Sequence, residues 1–259
     1  MINSAQNPKV QETRALLRQT KRRKQAGAFV VEGVRLANEA LLSGWPLRLA
    51  LYTEALAAAE AGLLRQLRSK GASLELVSDA VMAAAADTQT PQGILLQLAW
   101  QPPALPAQLD FALVLDGLAD PGNLGTLLRS AAAAGCGAVL LGPGCADAYG
   151  PKALRGGMGA HFRLPVLPQS WGEIGAVLAQ HKLQAVLTAA GEGPAYYAAD
   201  LRQPVALILG GEAHGASAGA RNLAGQSLHI PMPGGSESLN VAIAGSIVLF
   251  EVVRQRRTA

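Results

Sequence analysis

At 259 residues, half of them hydrophobic, the chain is long enough for one large or two ordinary globular domains with a sizeable core. No apolar run reaches the roughly 18 residues of a membrane helix, and the opening residues lack the apolar core of a signal peptide, so a cytoplasmic protein with no membrane span is expected. The net charge of +4 is unevenly carried: residues 1–24 hold Lys9, Arg14, Arg18, Lys21, Arg22, Arg23 and Lys24 against the single acid Glu12. Such a run suits a phosphate backbone, although taken alone a charge run is more often just a solvated face. Cys136 and Cys145 and the four histidines, His161, His181, His214 and His229, show no zinc-like spacing, so neither a metal site nor a disulfide framework is expected.

In chain order, the pattern predicts a helix after Asn7-Pro8, a strand at 29–33, a helix carrying Leu36, Leu41 and Leu42, and a strand at 47–52. A single Ala/Leu-rich helix over 54–70, closed by Gly71, and strands at 74–77 and 93–98 complete a compact α/β domain, 1–99. The Pro-rich run from Gln101 to Pro106 breaks regular structure and marks a linker, 100–109. Strands at 111–115, 138–141, 162–166, 184–187, 205–209 and 227–230 then alternate with helical or loop segments, the signature of a mainly parallel α/β sheet over 110–259. On this division, a chain lacking residues 1–100 should stay folded and keep its ligand site. Ligands on such sheets sit beyond the carboxyl ends of the strands.

Three stretches place polar residues there. In the first, Asp120 caps a helix with Pro121 in its first turn, Leu124, Leu127, Leu128 and Ala131 make the buried stripe, and Asn123 and Arg129 lie off it. The second is a buried strand ending in Gly210, Gly211 and Glu212, a turn suited to close ligand approach plus one acceptor; a strand ending at Thr188 is built in the same style. The third runs from Ile230 through Met232, Gly234, Gly235, Ser238 and Leu239 to Asn240, a loop leading into a helix. Each stretch alone is equally an ordinary strand–turn–helix connection. The turn at Gly142-Pro-Gly144 has Asp147 where a dinucleotide fingerprint needs its third glycine and is set aside.

In order and spacing, Asp120-Pro-Gly-Asn123-x-Gly125-x3-Arg129, Gly210-Gly211-Glu212 and Ile230-Pro-Met232-x5-Ser238-Leu239-Asn240 resemble the three motifs of the SpoU (TrmH-like) RNA 2'-O-ribose methyltransferases of the SPOUT class. The likeness covers about residues 110–256; residues 1–99 look more loosely like the accessory substrate-binding domain of the ribosomal-protein L30e-like kind. The resemblance implies an α/β fold with a C-terminal trefoil knot, S-adenosyl-L-methionine held in the knot, a homodimer formed through the C-terminal domain, and ribosomal or transfer RNA as substrate. By position it implies active-site roles for Asn123, Arg129, Glu212, Ser238 and Asn240. Cofactor contacts fall on Gly210, Ile230 and Leu239, with Thr188, Gly211 and Met232 as neighbours. A non-catalytic RNA-binding protein is the alternative, disfavoured because every polar residue the chemistry needs is present.

Overall fold

The computed structural model describes residues 1–101, 104–211 and 215–257. They cluster into two units, one made of residues 1–101 with 149–162, the other of 102–148 with 163–259.

In the first unit, α1 (Pro8–Arg18) and α2 (Thr20–Ala26) lead into β1 (Ala28–Glu32), α3 (Val34–Ser43), β2 (Leu47–Tyr52), α4 (Glu54–Ala59), α5 (Ala61–Ser69), β3 (Ser73–Leu76), α6 (Asp79–Ala85) and β4 (Ile94–Ala99). The four strands form one mixed sheet in the order β1-β4-β2-β3, with β4 antiparallel to both neighbours and β2 parallel to β3. Asn7 caps α1 by accepting the Lys9 N–H at 3.0 Å, with Pro8 in the first turn as expected. The single helix expected over 54–70 is instead two, broken at Glu60. No residue between Leu56 and Leu63 is buried, and Gly62 lowers helix propensity there, so neither packing nor intrinsic preference carries the helix across.

Six of the seven cations in the basic run sort into two groups. Lys9 pairs with Glu75, Arg22 holds Glu12 at 2.7 Å, and the buried Arg23 donates to the carbonyls of Leu16 and Leu17 at 2.7 and 3.0 Å. These three cations fasten α1 and α2. Arg18, Lys21 and Lys24 are exposed, and none pairs with a described residue.

The second unit holds β5 (Phe111–Asp116), α7 (Pro121–Ala133) and β6 (Ala138–Leu141) before the chain leaves it for α8 (Pro151–Gly157) of the first unit. It resumes with β7 (Val166–Pro168), α9 (Trp171–Gln180), β8 (Gln184–Thr188), β9 (Val205–Gly210), α10 (Ala218–Leu223), β10 (Gln226–Leu228) and α11 (Val241–Arg257). All six strands are parallel, in the order β10-β8-β9-β5-β6-β7. Every residue of β5 and β6 is buried, which is why these strands read as unbroken apolar runs rather than alternating ones. Among the described residues no helix is long and apolar enough to cross a membrane.

The strand expected at 162–166 lies further on. Residues 160–162 form a short 3-10 turn, and pairing with β6 begins only after Pro165. Phe162 is taken into an aromatic cluster of the first unit, its ring centroid 5.8 Å from that of Trp45 and 6.3 Å from that of Phe29, with Tyr149 5.0 Å from Phe29. Arg155 adds an ion pair to Asp87 at 2.7 Å. Residues 149–162 therefore take their cover from residues 1–101, and a chain lacking residues 1–100 would leave that segment's aromatic rings uncovered. A chain beginning at residue 104 should unfold at a lower temperature than the full chain and bind an apolar dye through its uncovered aromatic rings. A truncated chain with an unchanged midpoint and no dye binding would contradict this.

Candidate functional site

Because the second sheet is wholly parallel, the carboxyl ends of its strands share one edge, and the loops after β8, β9 and β10 meet there. The loop after β8 is tied to β10 and the residue beyond it. The Ala189 N–H donates to Leu228 O at 3.0 Å, the His229 N–H to Pro194 O at 3.0 Å, and the Tyr196 N–H to His229 O at 2.8 Å. The loop after β9 is fixed by the buried Asp116 at the end of β5, whose Oδ2 accepts the Ser217 N–H at 2.6 Å.

Gly210 and Gly211 answer to the protein before any ligand. A Cβ at Gly210 would fall 2.6 Å from the Gly215 carbonyl carbon and 2.7 Å from the Ala216 nitrogen, and one at Gly211 would fall 2.7 Å from Gly117 O. A bulky residue at 210 would therefore distort its own loop as well as anything bound there.

The loop after β10 turns at Met232–Gly235, where the Gly235 N–H donates to Met232 O at 3.1 Å and Gly235 takes φ +76. It ends at Asn240, whose Oδ1 accepts the N–H groups of Ala242 and Ile243 at 2.9 and 3.3 Å, so this side chain caps α11. The Asn240 Nδ2 donates to Asn123 Oδ1 at 3.1 Å, joining the start of α11 to the first turn of α7. Asp120 caps α7 as expected, accepting the Asn123 N–H at 2.8 Å. Further along, the Ser130 and Ser246 hydroxyls meet at 2.7 Å.

These loops enclose a cavity of about 1070 Å³. Thr188, Gly210, Gly211, Ile230, Met232, Ser238, Leu239 and Asn240 all line it. Asn123 reaches this group through its bond to Asn240 without lining the cavity. Arg129 also stands outside the lining, exposed on α7 and unpaired with the described residues. Glu212 lies outside the described residues. The Thr188 Oγ1 is buried in the cavity wall with no hydrogen-bond partner among the described residues. Leu209, Ile230, Met232 and Leu239 supply apolar lining beside the Gly210–Gly211 backbone. A cavity of this size with one orphaned hydroxyl and an apolar slot fits a nucleoside-bearing ligand.

Sequence reasoning missed Asp116, Glu192, Arg221 and His229. Only Asp116, an acid at the end of an apolar strand, carried a local signal; the others are ordinary loop and helix residues until the fold assembles them. The two thiols are no source of a nucleophile. Burial pushes Cys136 up to about 12 and Cys145 upward as well, so both stay protonated near neutral pH.

Residues 110–250 match the SpoU rRNA Methylase family. The chain belongs to that family. Residues 7–96 also match the MRM3-like substrate binding domain. Among SpoU relatives, an uncharacterised tRNA/rRNA methyltransferase of Synechocystis is 36% identical, with 100% of this chain and 95% of the relative covered. The 23S rRNA (guanosine(2553)-2'-O)-methyltransferase RlmP of Bacillus subtilis is 34% identical, over 97% of this chain and 98% of that protein. The SpoU methyltransferase AviRb of Streptomyces viridochromogenes, solved in complex with AdoMet, superposes with a TM-score of 0.88 at 30% identity, over 98% of this chain and 100% of that one.

The orphaned hydroxyl gives a test of whether the cavity wall serves a ligand or the fold. A buried hydroxyl without a partner costs about 1–3 kcal/mol of desolvation, so Thr188→Val should leave the thermal midpoint unchanged or raise it. A midpoint lowered by the equivalent of about 1 kcal/mol would instead mark the hydroxyl as a structural hydrogen-bonding group.

Proposed function

We propose that this SpoU protein transfers a methyl group from S-adenosyl-L-methionine to a ribose 2'-hydroxyl of structured RNA, with ribosomal RNA favoured over transfer RNA. The observation that carries this reading is the cavity at the carboxyl ends of β8, β9 and β10, with its glycine-backbone wall, its apolar slot and the Thr188 hydroxyl, unpartnered among the described residues. Gly210, Gly211, Ile230, Met232 and Leu239 would hold the cofactor, and Thr188 would give it a hydrogen bond. The ribosomal preference is supported by the match of residues 7–96 to a substrate-binding domain and by the names of the relatives.

When bound, S-adenosyl-L-methionine supplies an electrophilic methyl group on a sulfonium. The chain's own residues must bring the ribose oxygen into line with that methyl and stabilise the charge growing on the oxygen. Arg129 suits the second task. Its guanidinium carries a positive charge and has no partner among the described residues, so it is available to donate to the substrate phosphate and to the incipient alkoxide. The proton leaves toward phosphate or water. Asn123, fixed by Asn240, would orient the ribose together with Ser238 and Glu212.

With labelled S-adenosyl-L-methionine and ribosomal RNA, label should appear in alkali-resistant dinucleotides. At saturating RNA and cofactor, Arg129→Ala should lower the rate by roughly a hundredfold or more, while Arg129→Lys, keeping the charge, retains measurable activity above Ala. Equal inactivity of Lys and Ala with normal binding of both ligands would count against a charge-based role.

Arg18, Lys21 and Lys24 are proposed to meet RNA phosphates, since Lys9, Arg22 and Arg23 are engaged within the fold. Replacing the three by Gln should make the log–log salt dependence of RNA binding shallower by roughly one for each phosphate no longer neutralised. An unchanged slope would leave them as a solvated face.

The protein is further proposed to act in the cytoplasm as a homodimer through the second unit. Ile243 and Phe250 are 54% and 49% exposed on α11, one apolar stripe with Ile247, while Val241, Val248 and Val252 on its other face are buried. An exposed stripe of this kind on a helix is suited to a second copy. A monomer mass by light scattering at micromolar concentration would remove this part of the reading. The trefoil knot is proposed on the path of the chain after β10, which returns from the sheet edge to lay α11 against β9 and α7. There Gln255 accepts the Leu201 N–H at 2.8 Å and donates to Ala199 O at 2.9 Å.

A further inference from the structure

Glu192 and Arg221 come from different parts of the chain, the loop after β8 and the last turn of α10, and both line the cavity. Arg221 Nη1 donates to both Glu192 oxygens, at 3.1 and 3.0 Å, and Nη2 donates to Oε1 at 3.1 Å. The loop that carries Glu192 is itself tightly held. A Cβ at Gly193 would fall 1.9 Å from Ser227 O, and His229 Nδ1 sits 3.0 Å from Gly193 O. Both side chains of the pair are partly exposed. Here a carboxylate is fixed in place at the rim of a ligand-sized cavity.

We propose that Glu192, positioned by Arg221, accepts the two ribose hydroxyls of the nucleoside ligand bound in this cavity. The proposal rests on the reading of the cavity as the S-adenosyl-L-methionine site. A carboxylate offers about four lone-pair sites; Arg221 makes three contacts, two of them to Oε1, so the remaining capacity lies mainly on Oε2, where the two adjacent hydroxyls would share it. A 1,2-diol presents two adjacent O–H donors and is neutral, so the Arg221 charge does not repel it. The cationic ammonium of the amino-acid end would meet that charge unfavourably. The hydrogen bonds from Arg221 hold the Glu192 carboxyl below the usual carboxylate range, keeping it acceptor-only near neutral pH. Glu237, the other carboxylate of the lining among the described residues, is exposed and has no partner among them to fix it. The Thr188 hydroxyl, which has no partner among the described residues, is a further polar group of the same cavity, independent of this pair.

The test is isothermal titration of the full chain with S-adenosylhomocysteine, its 2',3'-dideoxy analogue and 5'-methylthioadenosine, which keeps the diol and lacks the amino acid. The wild-type protein should prefer the diol over the dideoxy ligand by roughly tenfold or more, the loss of a hydrogen bond to a charged group. Glu192→Gln is isosteric in an exposed loop and should keep the wild-type thermal midpoint while most of that preference disappears, the coupling that a double-mutant cycle isolates. Arg221→Gln should return the Glu192 carboxyl toward its ordinary range, so that the diol preference is lost at a higher pH on acidification than in the wild type. A Glu192→Gln protein that keeps the full diol preference overturns the proposal. So does one that weakens S-adenosylhomocysteine and its dideoxy analogue alike while leaving 5'-methylthioadenosine untouched, because the carboxylate would then read the ammonium. If the wild type binds none of the three, the cofactor reading itself fails and this inference falls with it.

Discussion

The second unit depends on how closely its last helix can lie against the sheet. A Cβ at Gly245 would sit 2.4 Å from Leu209 Cδ1 and 2.5 Å from Leu127 Cδ2, so both leucines would have to move aside, and the absence of one lets α11 settle onto β9 and α7 as they stand. That approach buries Val241, Val248, Leu249 and Val252, each contributing on the order of 1.5–3 kcal/mol when fully removed from water. It also sets where α11 begins. With the helix in this position Asn240 reaches Asn123, and the loop from Ile230 to Leu239 must span from β10 to that point. The loop is therefore a cavity wall as a consequence of helix packing.

The chemistry divides along the same lines. Groups suited to hold a cofactor lie on strand ends and the loops they fasten, where the backbone is already committed to the sheet. The groups suited to RNA are cations with no internal role: Arg129 on α7, and Arg18, Lys21 and Lys24 on the first two helices. Their neighbours in sequence, Arg22 and Arg23, show why charge alone did not identify them, since cations only a few positions away are taken up by Glu12 and by helix carbonyls.

Much of this was legible in the sequence wherever the cause is local. Asp120, Pro121 and the stripe of Leu124, Leu127, Leu128 and Ala131 specify α7 through a cap, a fixed φ and a period, all within a dozen residues. The buried strands read correctly because a parallel sheet covered on both faces leaves no polar alternation. What failed depended on partners distant in the chain. Phe162 looked like the start of a strand because Phe29 and Trp45, its ring partners, stand more than a hundred residues earlier. Gly210 and Gly211 were legible as a place of close approach, but the approaching atoms belong to Gly215, Ala216 and Gly117 of the protein itself. Glu192 and Arg221 had no signal at all, because neither residue has meaning until β8 and α10 bring them together.

The central claim is that the strand ends of β8, β9 and β10, closed by the loop leading to α11, form the S-adenosyl-L-methionine site. Hydrogen exchange of the full chain with and without S-adenosyl-L-methionine tests it most directly. Exchange should slow in residues 188–192, 209–211 and 229–241, with the turn at 142–147, beyond the end of β6, unchanged. Protection centred on 142–147, or none in the three segments despite saturating binding, would contradict it.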